Sequence, residues 1–547
     1  MKITCGEAWA ELPEGTTVQA CLQALNKWHP GVLAARRGGC VLEVGDAVSD
    51  SGELIPLTLS DEEGYRIYER SLRFVMLLAL RRLYPGQQVR IEYSVGHGVF
   101  VRLPHLTLSD EMVREIGRTM GEITAADLPF EKKTWTLEEA IRYFEEDGQR
   151  DKVELLRRRP FSYFTMYACG GMWEYFYGAM AASTGVVRVF GLTPHAPGFI
   201  LKLPRGEAPA YPAPYVDRPK HLRAFSQSSA WCEILQAVNV ADLDRMIEQG
   251  QLRTFIRVNE ALHDQAIGSL AQKIVAGGKR IVLIAGPSSS GKTTTAARLA
   301  IHLRVLGRHP VQISLDDYYL DRDALPREAD GSVDLEGLHT IDVPLIQRHM
   351  TALLAGETVE VPRFNFVTGK REARGVETAL PPGEIVIIEG IHGLNPTLSA
   401  TWPAQSVHRV FVSALTCLNL DDHNRIRTTD VRLLRRIVRD HQFRGTAPQE
   451  TLEMWPSVRR GEETWIFPYQ EQADSVFNTA LHYELPVLRH FAFSLLREVP
   501  EEAPCGLMAR RLRKTLNYLP DIDPALLDEI PPLSLLREFI GGSTLGA

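Results

Sequence analysis

The chain has 547 residues, 44% of them hydrophobic and 24% charged, with a formal net charge of −7 at pH 7. That balance excludes disordered and fibrous classes and leaves length for about three or four domains. An acidic surplus also argues against a large phosphate-backbone footprint, so nucleic acid is not indicated as the main partner, although a local basic patch stays open. The seven cysteines (Cys5, Cys21, Cys40, Cys169, Cys232, Cys417, Cys505) lie far apart with no C-x-x-C pair, which fits free thiols in a reducing compartment. The amino-terminal stretch lacks an apolar signal core, and no apolar run approaches the roughly 18 residues of a membrane span, so we expect a cytoplasmic protein without membrane association.

In chain order, residues 1–57 read as short alternating strands with turns at Gly38-Gly39 and Ser51-Gly52. From 61 to 83 the period becomes helical, with Leu72, Val75, Met76, Ala79 and Leu80 on one face. Strand-like segments at 89–93 and 99–103 begin a second α+β unit that runs to about Pro204. The stretch Gly206-Glu-Ala-Pro-Ala-Tyr-Pro-Ala-Pro marks a linker. Residues 225–277 look helical, notably 241–249 and 261–275. After Arg280 apolar runs at 281–285, 311–315, 385–389 and 409–412 alternate with helical stretches, the pattern of a parallel sheet covered on both faces. The remainder, 491–547, returns to helix and loop.

The run Gly286-Pro287-Ser288-Ser289-Ser290-Gly291-Lys292-Thr293 fills every position of G-x-x-x-x-G-K-[ST] between a strand and a helix. Its glycines let successive backbone N–H groups converge on one anion, and the helix N-terminus adds its dipole. Lys292 is placed to neutralise the β/γ oxygens of a nucleoside triphosphate, and the Thr293 hydroxyl to ligate Mg²⁺. No N-K-x-D guanine reader is present. The next apolar run ends Ser314-Leu-Asp316-Asp317-Tyr-Tyr319, putting a carboxylate at the carboxyl end of a parallel strand, where ligands bind in open α/β sheets. There it can take the proton of a substrate hydroxyl. A further run ends in Glu389, in the Walker-B position opposite Thr293. Finally, Arg432-Leu-Leu-Arg435-Arg436-Ile-Val-Arg439 belongs to a stretch with seven arginines between 425 and 444, and helical spacing puts Arg432, Arg435 or Arg436, and Arg439 on one face. Such a face can close over a transferring phosphoryl group.

Taken in order, Gly286–Thr293, SLDDYY at 314–319, VEVPRFNFVTGKR at 359–371, IIEG at 387–390 and LLRRIVRD at 433–440 resemble the uridine kinase/phosphoribulokinase family over about 278–490. The resemblance implies ATP-dependent phosphorylation of a nucleoside 5′-hydroxyl, with Asp316 as base and Mg²⁺ held by Thr293 and Glu389. Residues 286–293 together with Thr294, Arg435 and Arg444 would bind ATP, and Lys292, Arg436 and Arg439 would assist transfer. Tyr319 and Glu336 fall on the ribose side, and Asp317, Phe364 and Arg371 complete the expected acceptor site. Two positions depart from the family: Gly369 stands where a His contacts uracil, and the region of Met454 where a Gln follows the lid.

Residues 1–57 resemble a TGS domain, and 58–204 the second, editing-type domain of threonyl-tRNA synthetases. Tyr68-Glu-Arg70-Ser71-Leu-Arg-Phe74 aligns with H-S-x-x-H, and Glu174-Tyr-Phe176-Tyr-Gly178-Ala-Met180 with D-x-C-x-G-P-H. Arg70, Phe74, Phe176 and Met180 thus replace the metal ligands, so the deacylation chemistry is expected to be lost. His97 and Cys169 read as structural. The expected architecture is multidomain α/β: a β-grasp module (1–57), a synthetase-like α+β domain (58–204), a linker with helices (205–277), a parallel-sheet P-loop kinase domain (278–490) and a helical extension (491–547). Its partner is a small-molecule nucleoside or ribose-type acceptor. A different sugar acceptor, or a nucleotide-gated RNA- or ribosome-binding regulator, are the alternatives, and homo-oligomerisation stays open.

Overall fold

The computed structural model describes residues 1–159, 161–206, 209–326, 334–366 and 368–545. Glu207 and Ala208 of the expected linker and Val367 of the 359–371 motif lie outside the described residues. In the first 57 residues, β1 (Lys2–Cys5) and β2 (Ala8–Glu11) form a hairpin, followed by α1 (Val18–Ala24), whose first turn is capped by the Thr17 hydroxyl accepting from the Ala20 N–H. Then come β3 (Ala34–Arg37), β4 (Cys40–Glu43), β5 (Gly52–Glu53) and β6 (Ile55–Leu57). Strand β5 returns parallel to β1, and Ile3, Val18, Leu22 and Val48 bury one side of the module.

The next unit is built around α2 (Glu62–Leu83), which is buried along most of its length. It also contains β7 (Arg90–Val95), β8 (Gly98–Arg102), α3 (Asp110–Ala125), β9 (Glu131–Thr136), α4 (Leu137–Glu146), α5 (Arg150–Arg157), β10 (Tyr163–Cys169), β11 (Met172–Glu174), β12 (Gly191–His195) and β13 (Gly198–Lys202). These strands form two antiparallel sheets, ordered β12-β13-β8-β7 and β11-β10-β9. Phe74, Phe176 and Met180 meet in one apolar core, the two rings 6.0 Å apart, with the buried Ser71 hydroxyl against the Met180 sulfur. Arg70 reaches Glu63 (2.8 Å) and the Ala179 carbonyl (3.0 Å). Arenes, a thioether and a guanidinium are poor zinc donors, so the place of the aligned metal ligands is filled by packing.

Three helices follow, α6 (Pro219–Ile234), α7 (Val240–Glu248) and α8 (Leu252–Ala276). Helix α8 is no spacer: Ile267, Leu270 and Ile274 pack on a parallel sheet beside α9 (Lys292–Val305). The sheet is fully parallel, with order β15-β20-β14-β21-β24, where β14 is Ile281–Ala285, β15 Val311–Ser314, β20 Val386–Glu389, β21 Val407–Ser413 and β24 Ser475–Asn478. Side chains alternate faces along each strand. Ile281, Leu283 and Ile388 pack on α10 (Val343–Leu354), and Val282, Ile284 and Ile387 on α8 and α9. The edge strand β24 is a half-buried S-V-F-N with no apolar run, which is why the sequence pattern shows four strands and not five. Between α10 and β20 run two small hairpins, β16 (Val359–Val361) with β19 (Val376–Thr378), and β17 (Phe364–Asn365) with β18 (Lys370–Arg371). After β21 come the ribbon β22 (Asn419–Asp421) and β23 (Asn424–Arg425), then α11 (Thr428–Arg444), α12 (Pro448–Trp465), α13 (Glu484–Arg497), α14 (Gly506–Leu516) and the short α15 (Arg537–Ile540). One core joins α4, α5 and α7 to α11–α15, so residues 491–540 are packed into the body. Among the described residues no helix is long and apolar enough to cross a membrane.

Candidate active site

The phosphate loop turns between β14 and α9. A Cβ on Gly286 would lie 2.0 Å from the Val412 carbonyl oxygen, and Gly291 has φ +83°, so both positions demand glycine. Lys292 folds back over the loop, its Nζ donating to the Pro287 carbonyl (3.3 Å). Thr293 is exposed at the mouth, and its hydroxyl donates to Glu389 Oε1 at 3.4 Å. The Ser314 hydroxyl donates to the same oxygen at 2.9 Å, a contact that sequence reasoning missed.

Asp316 and Asp317 lie in the single turn that ends β15. Burial pushes the Asp316 carboxyl up, Lys292, Arg444 and Arg439 pull it back, and the result stays above its ordinary value. Glu389 is raised to about 7, first by burial and then by the charge of Asp316. Glu336 also rises to about 7 by burial, against the pull of Arg436 and Lys292. The structure thus gathers three carboxylates, Asp316, Glu336 and Glu389, with Lys292, Arg436, Arg439 and Arg444 around them. Tyr319 belongs to the same group, because its hydroxyl is held protonated by burial and by those three acids. Glu336 sits against α12 where Gly461 leaves room; a Cβ there would meet the Glu336 Cβ at 2.3 Å. An oxygen-only donor set of Thr293, Glu389 and Ser314 suits a hard cation, and a dication would relieve the crowding of charge that raises Glu389.

Helix α11 divides its arginines between two sides. Arg436 Nη1 donates to Ser288 Oγ (2.8 Å), and Arg436, Arg439 and Arg444 all approach the buried Asp440, three cations on one carboxylate facing the site. Arg435 is different from its expectation as an ATP-contacting lid residue. It is fully buried, pairs with Glu484, donates to Thr479 O (2.9 Å) and to Ser289 O (3.4 Å), and lies over the Phe539 ring. Arg432 likewise turns inward: it is paired bidentately with Glu462 and donates to Ser288 O (3.0 Å), while Glu462 accepts from the Ser288 N–H (3.0 Å). These two arginines hold the Ser288 and Ser289 carbonyls of the loop while paired with buried Glu462 and Glu484.

Of the expected acceptor residues, Tyr319 and Phe364 meet at 5.6 Å, and Phe366 closes on them at 6.2 and 5.2 Å to form a three-ring corner. Asp317 accepts from the Phe364 N–H (3.3 Å), which ties this corner to the end of β15. Arg371 does not face an acceptor. Its guanidinium donates to the Tyr318 and Tyr319 carbonyls (2.8 Å each) and to Asp342 (3.2 Å), so it fixes the turn that carries Tyr319. Gly369 has φ +68°, and Arg322 covers it so closely that a Cβ would meet the Arg322 Cδ at 2.6 Å. Met454 is partly exposed two turns before Gly461, on the same stripe of α12. From the carboxyl-terminal part, Glu538 accepts from Thr294 Oγ1 (2.6 Å) and Leu535 covers Gly291, contacts no sequence motif announces.

A parallel five-stranded sheet, a complete phosphate loop and a strand-end carboxylate beside it define a P-loop kinase domain. Residues 281–484 match the model of the phosphoribulokinase/uridine kinase family, and this segment is a domain of that family. A uridine kinase from Deinococcus deserti is 28% identical over 199 residues, 36% of this chain and 86% of that enzyme. The amino-terminal region is similar to threonine–tRNA ligases. The one from Carboxydothermus hydrogenoformans is 29% identical over 185 residues, 33% of this chain but only 29% of the ligase. Among solved structures, a putative fructose transport system kinase from Silicibacter sp. TM1040 aligns over 39% of this chain and 98% of its own, with 24% identity and a TM-score of 0.29.

Proposed function

We propose that the chain transfers the γ-phosphoryl group of ATP to the 5′-hydroxyl of a nucleoside. The observation that carries this reading is the position of Asp316: a half-buried carboxylate at the mouth of the phosphate loop, under Lys292, Arg439 and Arg444, three residues before the ring of Tyr319. In the proposed reaction the acceptor hydroxyl oxygen bonds to the γ-phosphorus as the bond to the ADP leaving oxygen breaks. The hydroxyl proton passes to an Asp316 carboxylate oxygen. Lys292, Arg436 and Arg439 stabilise the charge spread over the transferring group. Mg²⁺, when bound at Thr293 and Glu389, would neutralise the β- and γ-phosphate oxygens. The corner of Tyr319, Phe364 and Phe366 favours an acceptor with a flat aromatic part over a bare sugar, because stacking is what such a surface offers.

The test is ATP turnover against a panel of nucleosides and phosphorylated sugars with the product mass identified. We expect nucleosides to turn over. Because the positions of Gly369 and Met454 offer no base-edge hydrogen bond, uridine should be preferred over purine nucleosides by less than about a thousandfold, since apolar pockets discriminate by roughly 10–200-fold. Turnover confined to sugar acceptors would overturn the nucleoside reading and leave the kinase reading standing.

A further inference from the structure

A cavity of about 630 Å³ lies between the synthetase-like region and helices α11 and α12. Its lining holds seven arginines against three glutamates, in a chain whose net charge is −7. Arg205 and Arg460 are exposed, but part of the excess is buried. Glu69 alone faces Arg73, Arg425 and Arg427, and the Glu69 and Arg425 side chains are 2% and 7% exposed. Arg425 lines the cavity with its Nε buried and without a hydrogen-bond partner. Arg460, from α12, also lines the cavity and has no carboxylate within ion-pair distance among the described residues. Arg66 and Arg511 share Glu62 and Asp430 beside them, so the group sets Arg66, Arg73, Arg425, Arg427 and Arg511 against Glu62, Glu69 and Asp430. Here buried guanidiniums outnumber their carboxylates, and desolvated cations need counter-charge. Burial holds Arg427 down to about 10, with Arg66 adding to it and Glu69 opposing.

The shape of the missing charge can be read from the walls. Guanidiniums bind phosphate oxygens bidentately, and several converge here from different elements. Tyr65, Trp455 and Phe467 supply flat apolar surface beside them. The volume falls within the roughly 300–1,000 Å³ of small-molecule sites. We propose that this cavity is a second ligand site, separate from the phosphate loop, that takes a phosphorylated small molecule of nucleotide size. It stands whether or not the acceptor of the kinase reaction is a nucleoside. One of its walls is Arg432, which reaches from the cavity to the Ser288 carbonyl of the phosphate loop.

The test uses the full chain with its phosphate loop saturated by Mg²⁺ and a non-hydrolysable ATP analogue. Calorimetric titration at low salt with UMP, UTP and inorganic pyrophosphate should reveal one further site per chain for at least one probe. Pyrophosphate binding as tightly as UTP identifies an oligophosphate site, and a clear preference for UMP or UTP identifies a nucleotide site. Arg427→Gln should weaken this binding at least tenfold, the size of one charge-assisted contact. Arg460 is exposed and has no carboxylate partner among the described residues, so Arg460→Glu is expected to fold, and it should weaken binding at least threefold. Lys292→Ala should leave the second site intact. No second binding event with any probe, unchanged binding in Arg460→Glu, or loss of binding in Lys292→Ala would each overturn the proposal.

Discussion

Asp316 is held among charges of both signs, and that setting decides what its substitution should do. Its neighbours Lys292, Arg439 and Arg444 keep the carboxylate available as an acceptor although burial works against the charge. Asp316→Asn keeps shape and a hydrogen-bonding oxygen but cannot take a proton. We expect kcat to fall by about 10²–10⁴, the usual share of a general base, with ATP affinity within a few fold of the parent. A variant with more than about a tenth of parental kcat would move the base to Asp317. At this scale the motif residues are legible because they are contiguous: a loop that must curl around one anion needs its glycines in fixed order. The role of Gly369 was not legible. Read as a missing histidine, it is in fact a left-handed position roofed by Arg322, where a side chain strains the backbone and strikes a neighbour.

Helix α11 shows why an element can be found in the sequence and its faces still be misassigned. Seven arginines in twenty residues announce a basic helix, but spacing alone does not say which of them meet buried acids. Those acids, Glu462 and Glu484, come from α12 and α13, 30 and 49 residues further along the chain. No local pattern links an arginine to a carboxylate so distant. The consequence is testable at Glu462. It is fully buried; burial raises its carboxyl, yet the charge and hydrogen bonds of Arg432 hold it below the ordinary range. Glu462→Ala leaves Arg432 in the interior without its counter-charge, which costs about 3–5 kcal/mol. It also frees the Ser288 N–H, so kcat should fall along with stability. Replacing both partners, Arg432→Met with Glu462→Leu, should restore most of the stability, since a buried pair gives little net gain over apolar packing. It should not restore kcat, because neither side chain can hold Ser288. Urea titration and turnover on the same preparations separate the two effects. Equal stability of Glu462→Ala and parent would show that the pair is not a brace.

Across the whole molecule, the amino-terminal half is tied to the kinase domain through buried polar contacts, and one of them titrates. Asp151, on α5, accepts from the Asp422 N–H (2.7 Å) at the turn of the β22–β23 ribbon, beside a cavity of about 1330 Å³. Burial raises its carboxyl first, and the charges of Asp422 and Asp421 add to it. The Asp422 N–H and Lys152 pull the other way, and the result is about 6, against 3.8 for an ordinary aspartate. The folded chain therefore holds this proton more tightly than the unfolded chain, so stability falls as pH rises from about 4 to 6 and stays lowered above that window. His423, in the same group, is opposed by burial but raised by Glu174, so its contribution is also lost as pH rises through its raised value. Comparing parent with Asp151→Asn removes the histidine from the difference. The amide keeps an oxygen for the Asp422 N–H and brings no charge to the buried aspartates. Thermal midpoints should be close near pH 4, and the variant should gain steadily up to about pH 6.5, then hold its lead. A difference constant from pH 4 to 7.5, or a variant less stable at neutral pH, would mean that Asp151 is ionised and compensated where it stands. The junction between the two halves would then be held by charge pairing and not in spite of charge.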